Sequence, residues 1–207
     1  MSKLPRSIYF LALVAMMVGG LGGGRALSEV AGYLGSHDGF VIDKRRELEI
    51  RSHFSGELPS EVTQKAGDQL GERAWARRGI NLPLSLANLV LSTMLFVGAM
   101  RALRRSKWGH GAWQFAAAIN IPFTLLQTVV LIIEAQDGRD ANAALISAMH
   151  RTAPVETLAH LQLALERLLL GGGAALLCAY YLACVVVLRR PRVAALFDLG
   201  GGDAEGE

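Results

Sequence analysis

Apolar residues along this chain are gathered into blocks rather than interleaved with polar ones. Residues 7–24, 82–100, 113–133 and 168–188 contain no Asp, Glu, Lys, Arg or His. A helix rising ~1.5 Å per residue needs about twenty apolar residues to cross ~30 Å of hydrocarbon. Each block therefore predicts a transmembrane helix, over residues 7–27, 82–100, 113–134 and 168–188. The first block also admits a second reading. Lys3 and Arg6 precede it and Ala26-Leu27-Ser28 follows it, the layout of a cleavable signal peptide.

Within the blocks, polar and small residues fall on helix faces. Ser85, Asn88 and Ser92 share one face of the second span, and Asn120, Thr124 and Gln127 share one face of the third. An amide turned to lipid would lose its water partners without replacement, so these stripes are expected to face other helices. Gly19/Gly23 in the first block form a GxxxG pair. Gly171, Ala175, Ala179 and Ala183 recur every four residues in the last. Small residues at this spacing let helix backbones approach closely.

The intervening stretches have a different character. Residues 28–81 are polar and charge-balanced; alternation of Leu48, Ile50 and Phe54 with Glu47, Glu49 and Arg51 suggests a small β-hairpin near 40–54, against a competing amphipathic helix. After Pro59-Ser60, Val62, Ala66, Leu70 and Ala74 lie at helical spacing. Residues 135–167 predict a turn at AQDGRD, a short helix over DANAALISAMH, and a restart near Pro154 that runs on into the last span. The tail, 189–207, is Gly-rich and acidic at its end and is expected to be disordered. The fold class is an all-α integral membrane protein: a four-transmembrane-helix bundle with two outward-facing segments.

Composition agrees with that class. Of 207 residues, 52% are hydrophobic and only 19% charged. The net charge of +3 could suggest a nucleic-acid partner, but the basic residues sit at the ends of apolar blocks, which excludes that reading. Arg101, Arg104, Arg105 and Lys107 fill the loop 101–112, and Arg189, Arg190 and Arg192 follow the last span, with no acid before Asp198. These groups set the topology: residues 1–6, the 101–112 loop and the tail are expected in the cytoplasm, with 28–81 and 135–167 outside a cell (inner) membrane.

Candidate chemistry is sparse. A proton-coupled carrier keeps an ionisable group inside the membrane in spite of its insertion cost, and the four uncharged runs have none. His150, Glu156 and His160 are the best candidates for an outer metal or catalytic site, yet their spacing matches no strong ligand motif. Cys178 and Cys184 lie ~9 Å apart along one helix and cannot bridge each other. No nucleophile, phosphate-loop or dinucleotide motif occurs, and no cofactor is expected. Three functions follow in order of preference. The first is a non-enzymatic structural, assembly or sensory subunit that binds a membrane protein partner or a second copy of itself. A channel or carrier for a neutral solute or lipid comes next, and then an outer-surface enzyme.

Overall fold

The computed structural model describes residues 4–55, 60–137 and 155–198. These residues form helices, with no strand among them: α1 (Arg6–Leu34), α2 (His37–Ser55), α3 (Ser60–Ala76), α4 (Arg78–Leu103), α5 (Lys107–Asp137), α6 (Val155–Leu188) and α7 (Pro191–Asp198). The expected spans fall within α1, α4, α5 and α6, and each of these four is long and apolar enough to cross a membrane. Helix α6 begins at Val155 and continues without a break into the last apolar block.

Local sequence explains where the helices start and stop. Ser36 caps α2, its Oγ accepting from the Gly39 amide at 3.2 Å, and Ser106 caps α5 in the same way through Gly109 at 3.3 Å. Pro191 opens α7 where a missing amide proton costs nothing. Helix α4 ends in a paired closure in which Arg105 N donates to Ala102 O and Ser106 N to Arg101 O. Glycine is the usual residue at the reversing position, but here Arg105 holds the left-handed conformation, with φ of 62°.

Two expectations are corrected. The β-hairpin near 40–54 is the helix α2. Leu48, Ile50 and Phe54 do alternate, but the residues taken out of solvent are Phe40 and Val41, then Lys44, Arg45, Leu48 and Glu49 in part, which is a 3.6-residue period. Glu, Leu, Lys and Arg are also good helix formers. The tail is not wholly disordered: its first part is α7, whose Val193 and Phe197 are buried one turn apart. The short helix expected over DANAALISAMH lies outside the described residues.

The chain divides into two compact units. The first comprises residues 1–28, 85–126 and 174–207. Its core gathers Ile8, Ala12 and Ala15 of α1, Leu95 and Ala99 of α4, Trp113 and Ala116 of α5, Tyr181, Cys184 and Leu188 of α6, and Val193 and Phe197 of α7. Many of these are alanines, so the helices pack closely around the fully buried Trp113. A β-carbon placed on Gly19 would lie 2.7 Å from the Ser92 carbonyl oxygen of α4, so the approach of α1 to α4 requires glycine there.

The second unit comprises residues 29–84 and 127–173. Here α2 and α3 form an antiparallel hairpin. A β-carbon on Gly67 would come within 2.9 Å of Arg45 Cα, and one on Gly71 within 3.0 Å of Val41 Cα. Phe40 stacks on Tyr33 of α1 with ring centres 4.9 Å apart and tilts against Trp75 of α3 at 5.5 Å. Arg45 of α2 reaches Asp68 of α3, its Nε at 2.9 Å and its terminal nitrogen at 2.6 Å from one carboxylate oxygen.

Candidate functional site

The polar residues singled out on the second and third spans fall mainly in the first unit. Ser85, Ser92, Asn120 and Thr124 are buried, and Asn88 is half-buried. Ser92 Oγ donates to Asn88 Oδ1 one turn earlier, at 3.2 Å, and Asn120 Nδ2 donates to the Ala116 carbonyl at 2.9 Å. Both bonds stay within their own helix, so Asn88 and Asn120 spend hydrogen-bonding capacity locally. Gln127 falls in the second unit and is half-buried.

The small residues behave in two ways. Gly19 meets Ser92 and Phe96 of α4, and Gly23 faces the Ser92 Cβ at an ordinary 3.7 Å. On α6 the inward face is Ala174, Tyr181, Cys184 and Leu188, and the ridge Ala175, Ala179 and Ala183 is exposed. Gly171, in the second unit, is exposed and has nothing within 4 Å of where a β-carbon would stand. Helix α6 is the least covered of the four long apolar helices, with 17% of its most apolar window buried against 33% in α4.

The basic residues Arg101, Arg104, Arg105, Lys107, Arg189, Arg190 and Arg192 flank in sequence the residues of a contact that the apolar pattern did not foretell. His110, in the first turns of α5, has Nε2 3.0 Å from the Leu188 carbonyl, so the Nε2–H tautomer donates to the end of α6. The same ring stacks on Phe197 of α7, with centres 4.4 Å apart and planes at 21°. One imidazole thus joins three helices. Arg101 lies over the exposed Trp108 at 5.6 Å.

In the second unit Asn81 Nδ2 donates to Glu134 Oε1 at 2.6 Å and to the Tyr33 hydroxyl at 3.1 Å, joining α4, α5 and α1. His37 places Nε2 2.9 Å from Glu72 Oε2 and Nδ1 3.1 Å from Asp38 Oδ1. Accepting carboxylates on both ring nitrogens favour the charged imidazolium, and they raise its pKa above the ordinary 6.5, Glu72 more than Asp38.

Among the described residues no group of three His, Cys, Asp or Glu side chains could hold a metal ion. His150 lies outside them, and Glu156 and His160 fall on the first turns of α6. Cys178 and Cys184 are free thiols, the second buried. No protein-family model, curated protein or solved structure matches the chain.

Proposed function

We propose that this chain is a multi-pass protein of a cell membrane, with both termini in the cytoplasm, that acts as a non-enzymatic subunit binding another membrane helix. The membrane reading is supported by the outward faces of the four long helices. Phe10, Leu13, Met17 and Leu21 of α1, Leu86 and Val90 of α4, Phe115 and Leu125 of α5, and Leu176, Leu182 and Val186 of α6 are all exposed. A water-soluble protein of this size rarely exposes so many large apolar side chains. The orientation rests on the basic residues beside α4, α5 and α6.

The observation that carries the binding role is the contrast between small residues. Gly19 of α1, Ala99 of α4 and Ala116 of α5 are buried within the chain, while Ala175, Ala179 and Ala183 of α6 stay uncovered. In lipid, helix association relies on close van der Waals packing, and an alanine ridge is a surface made for it. The occupant is a membrane partner or a second copy of this chain. The local bonds of Asn88 and Asn120 support a structural role for the polar stripe rather than a solute path.

The test is purification in mild detergent, with and without Ala179→Leu. Wild-type protein should self-associate or retain a stoichiometric partner, and the variant, altered on an exposed face, should lose it while keeping its helix content. A wild-type chain that is strictly monomeric and partnerless in native lipid would overturn the reading.

A further inference from the structure

We infer that the basic end of the first unit is a preorganised binding surface for anionic phospholipid headgroups, assembled where α5, α6 and α7 meet at His110 beside the α4–α5 turn. The inference rests on the membrane-spanning reading above.

Topology alone asks only that basic residues be present on the correct side during insertion; flexible loops meet that need. Here they are carried on ordered backbone. Arg101 lies in the last turn of α4 and Lys107 opens α5, and the turn between them is so tight that a β-carbon on Gly109 would stand 2.7 Å from the Ala102 amide nitrogen. Arg189 and Arg190 leave α6 just after Leu188, whose carbonyl receives the His110 proton. Arg192 lies in the first turn of α7, and that helix is pinned by Phe197 against the same imidazole. Phe197 is 1% exposed, so α7 is part of the packed core rather than a trailing tail.

The charges themselves point outward. Arg101, Arg104, Lys107, Arg189, Arg190 and Arg192 are all exposed. In the sequence of this unit no Asp or Glu precedes Asp198. Trp108 adds an exposed indole under Arg101, the amphipathic ring that membrane proteins place at headgroup depth. A surface of exposed guanidinium groups carried on helix ends beside the spanning segments matches phosphate-bearing lipid in charge and in position. Guanidinium forks also bind phosphate oxygens in pairs.

The experiment uses the full chain, extracted from membranes and exchanged into nanodiscs made from an equimolar phosphatidylcholine and phosphatidylglycerol mixture. Lipid retained after mild delipidation is then identified by mass spectrometry, at low and at molar salt. Phosphatidylglycerol should be enriched over phosphatidylcholine at low salt, and the enrichment should collapse at molar salt. Arg189→Gln/Arg190→Gln should lower it by about five-fold or more, since each cation near a lipid surface contributes at about that level. Arg104→Gln/Arg105→Gly should do the same while relaxing the left-handed residue, which separates charge from folding. Arg46→Gln/Lys65→Gln, which removes two exposed cations from the second unit, should leave enrichment unchanged.

Equal retention of both lipids by the wild-type chain overturns the inference whatever the variants do, and so does enrichment that survives molar salt. Co-elution of an acidic protein at low salt in place of lipid would assign the surface to a protein and overturn it as well. Failure of the chain to remain in carbonate-washed membranes would instead remove the spanning reading. The two failures are therefore distinguishable.

Discussion

His37 on α2 faces Glu72 on α3 at 2.9 Å, and its other ring nitrogen faces Asp38 at 3.1 Å. Charged histidine is favoured in the folded hairpin, so its pKa is raised above 6.5. A group raised on folding contributes stability that is fully present below the unfolded value and is lost as pH climbs through the folded one. The α2–α3 hairpin should therefore weaken on going from acidic pH to above the folded pKa of His37. NMR titration of the His37 ring should give a midpoint above 6.5, and Glu72→Gln should bring it down. Trp75 touches the imidazole edge-on at 5.3 Å, so its fluorescence provides a second readout. A midpoint at or below 6.5 would contradict the contact.

Gly19 and Gly23 look equivalent in the sequence but not in the fold. Gly19→Leu drives a side chain into the Ser92 carbonyl and the Phe96 amide nitrogen, and should cost about 1–3 kcal/mol. Gly23→Ala meets only an ordinary contact with the Ser92 Cβ and should be nearly silent. Thermal unfolding in a single detergent, compared across the two variants, tests the asymmetry. Equal effects would mean that α1 does not approach α4 as described.

Phe197→Ala should release α7. The side chain is almost fully buried and covers the imidazole of His110, and comparable core truncations cost about 3–5 kcal/mol. Amides of Val193 and Ala194, which bond to the Arg190 carbonyl, should then exchange with solvent at rates of an unstructured peptide. Persisting protection in the variant would show that α7 is held by other contacts.

Arg105→Gly should stabilise the α4–α5 turn by about 1 kcal/mol, because a residue with a β-carbon pays a steric penalty at φ of 62° that glycine does not. A rise in the melting temperature checks the sign. A fall would mean that the contacts of the Arg105 side chain outweigh the backbone term.

The long apolar helices were legible because lipid imposes a severe rule: some twenty residues without charge have few other uses. Helix α3 was legible from Ser60 and the spacing of Ala66, Leu70 and Ala74. Helix α2 was misread because its apolar residues near Leu48 and Ile50 satisfy a two-residue period by accident, and burial of Phe40 and Val41 depends on α3, which no local window contains. Helix α7 is only eight residues long, and its signal, Val193 and Phe197 one turn apart, was overshadowed by the glycines that follow. Asn81 and His110 left no sequence mark. Each derives its role from hydrogen-bond partners 48 to 78 positions away, and a polar residue at the edge of an apolar block reads equally well as a boundary.

Helix α6 runs unbroken for 34 residues. At ~1.5 Å per residue that is ~51 Å, about 20 Å longer than the hydrocarbon it would cross. A span of that surplus length, its Leu188 carbonyl held by His110 of α5, would carry its turns toward Val155 out of the hydrocarbon as continuous helix rather than as loop.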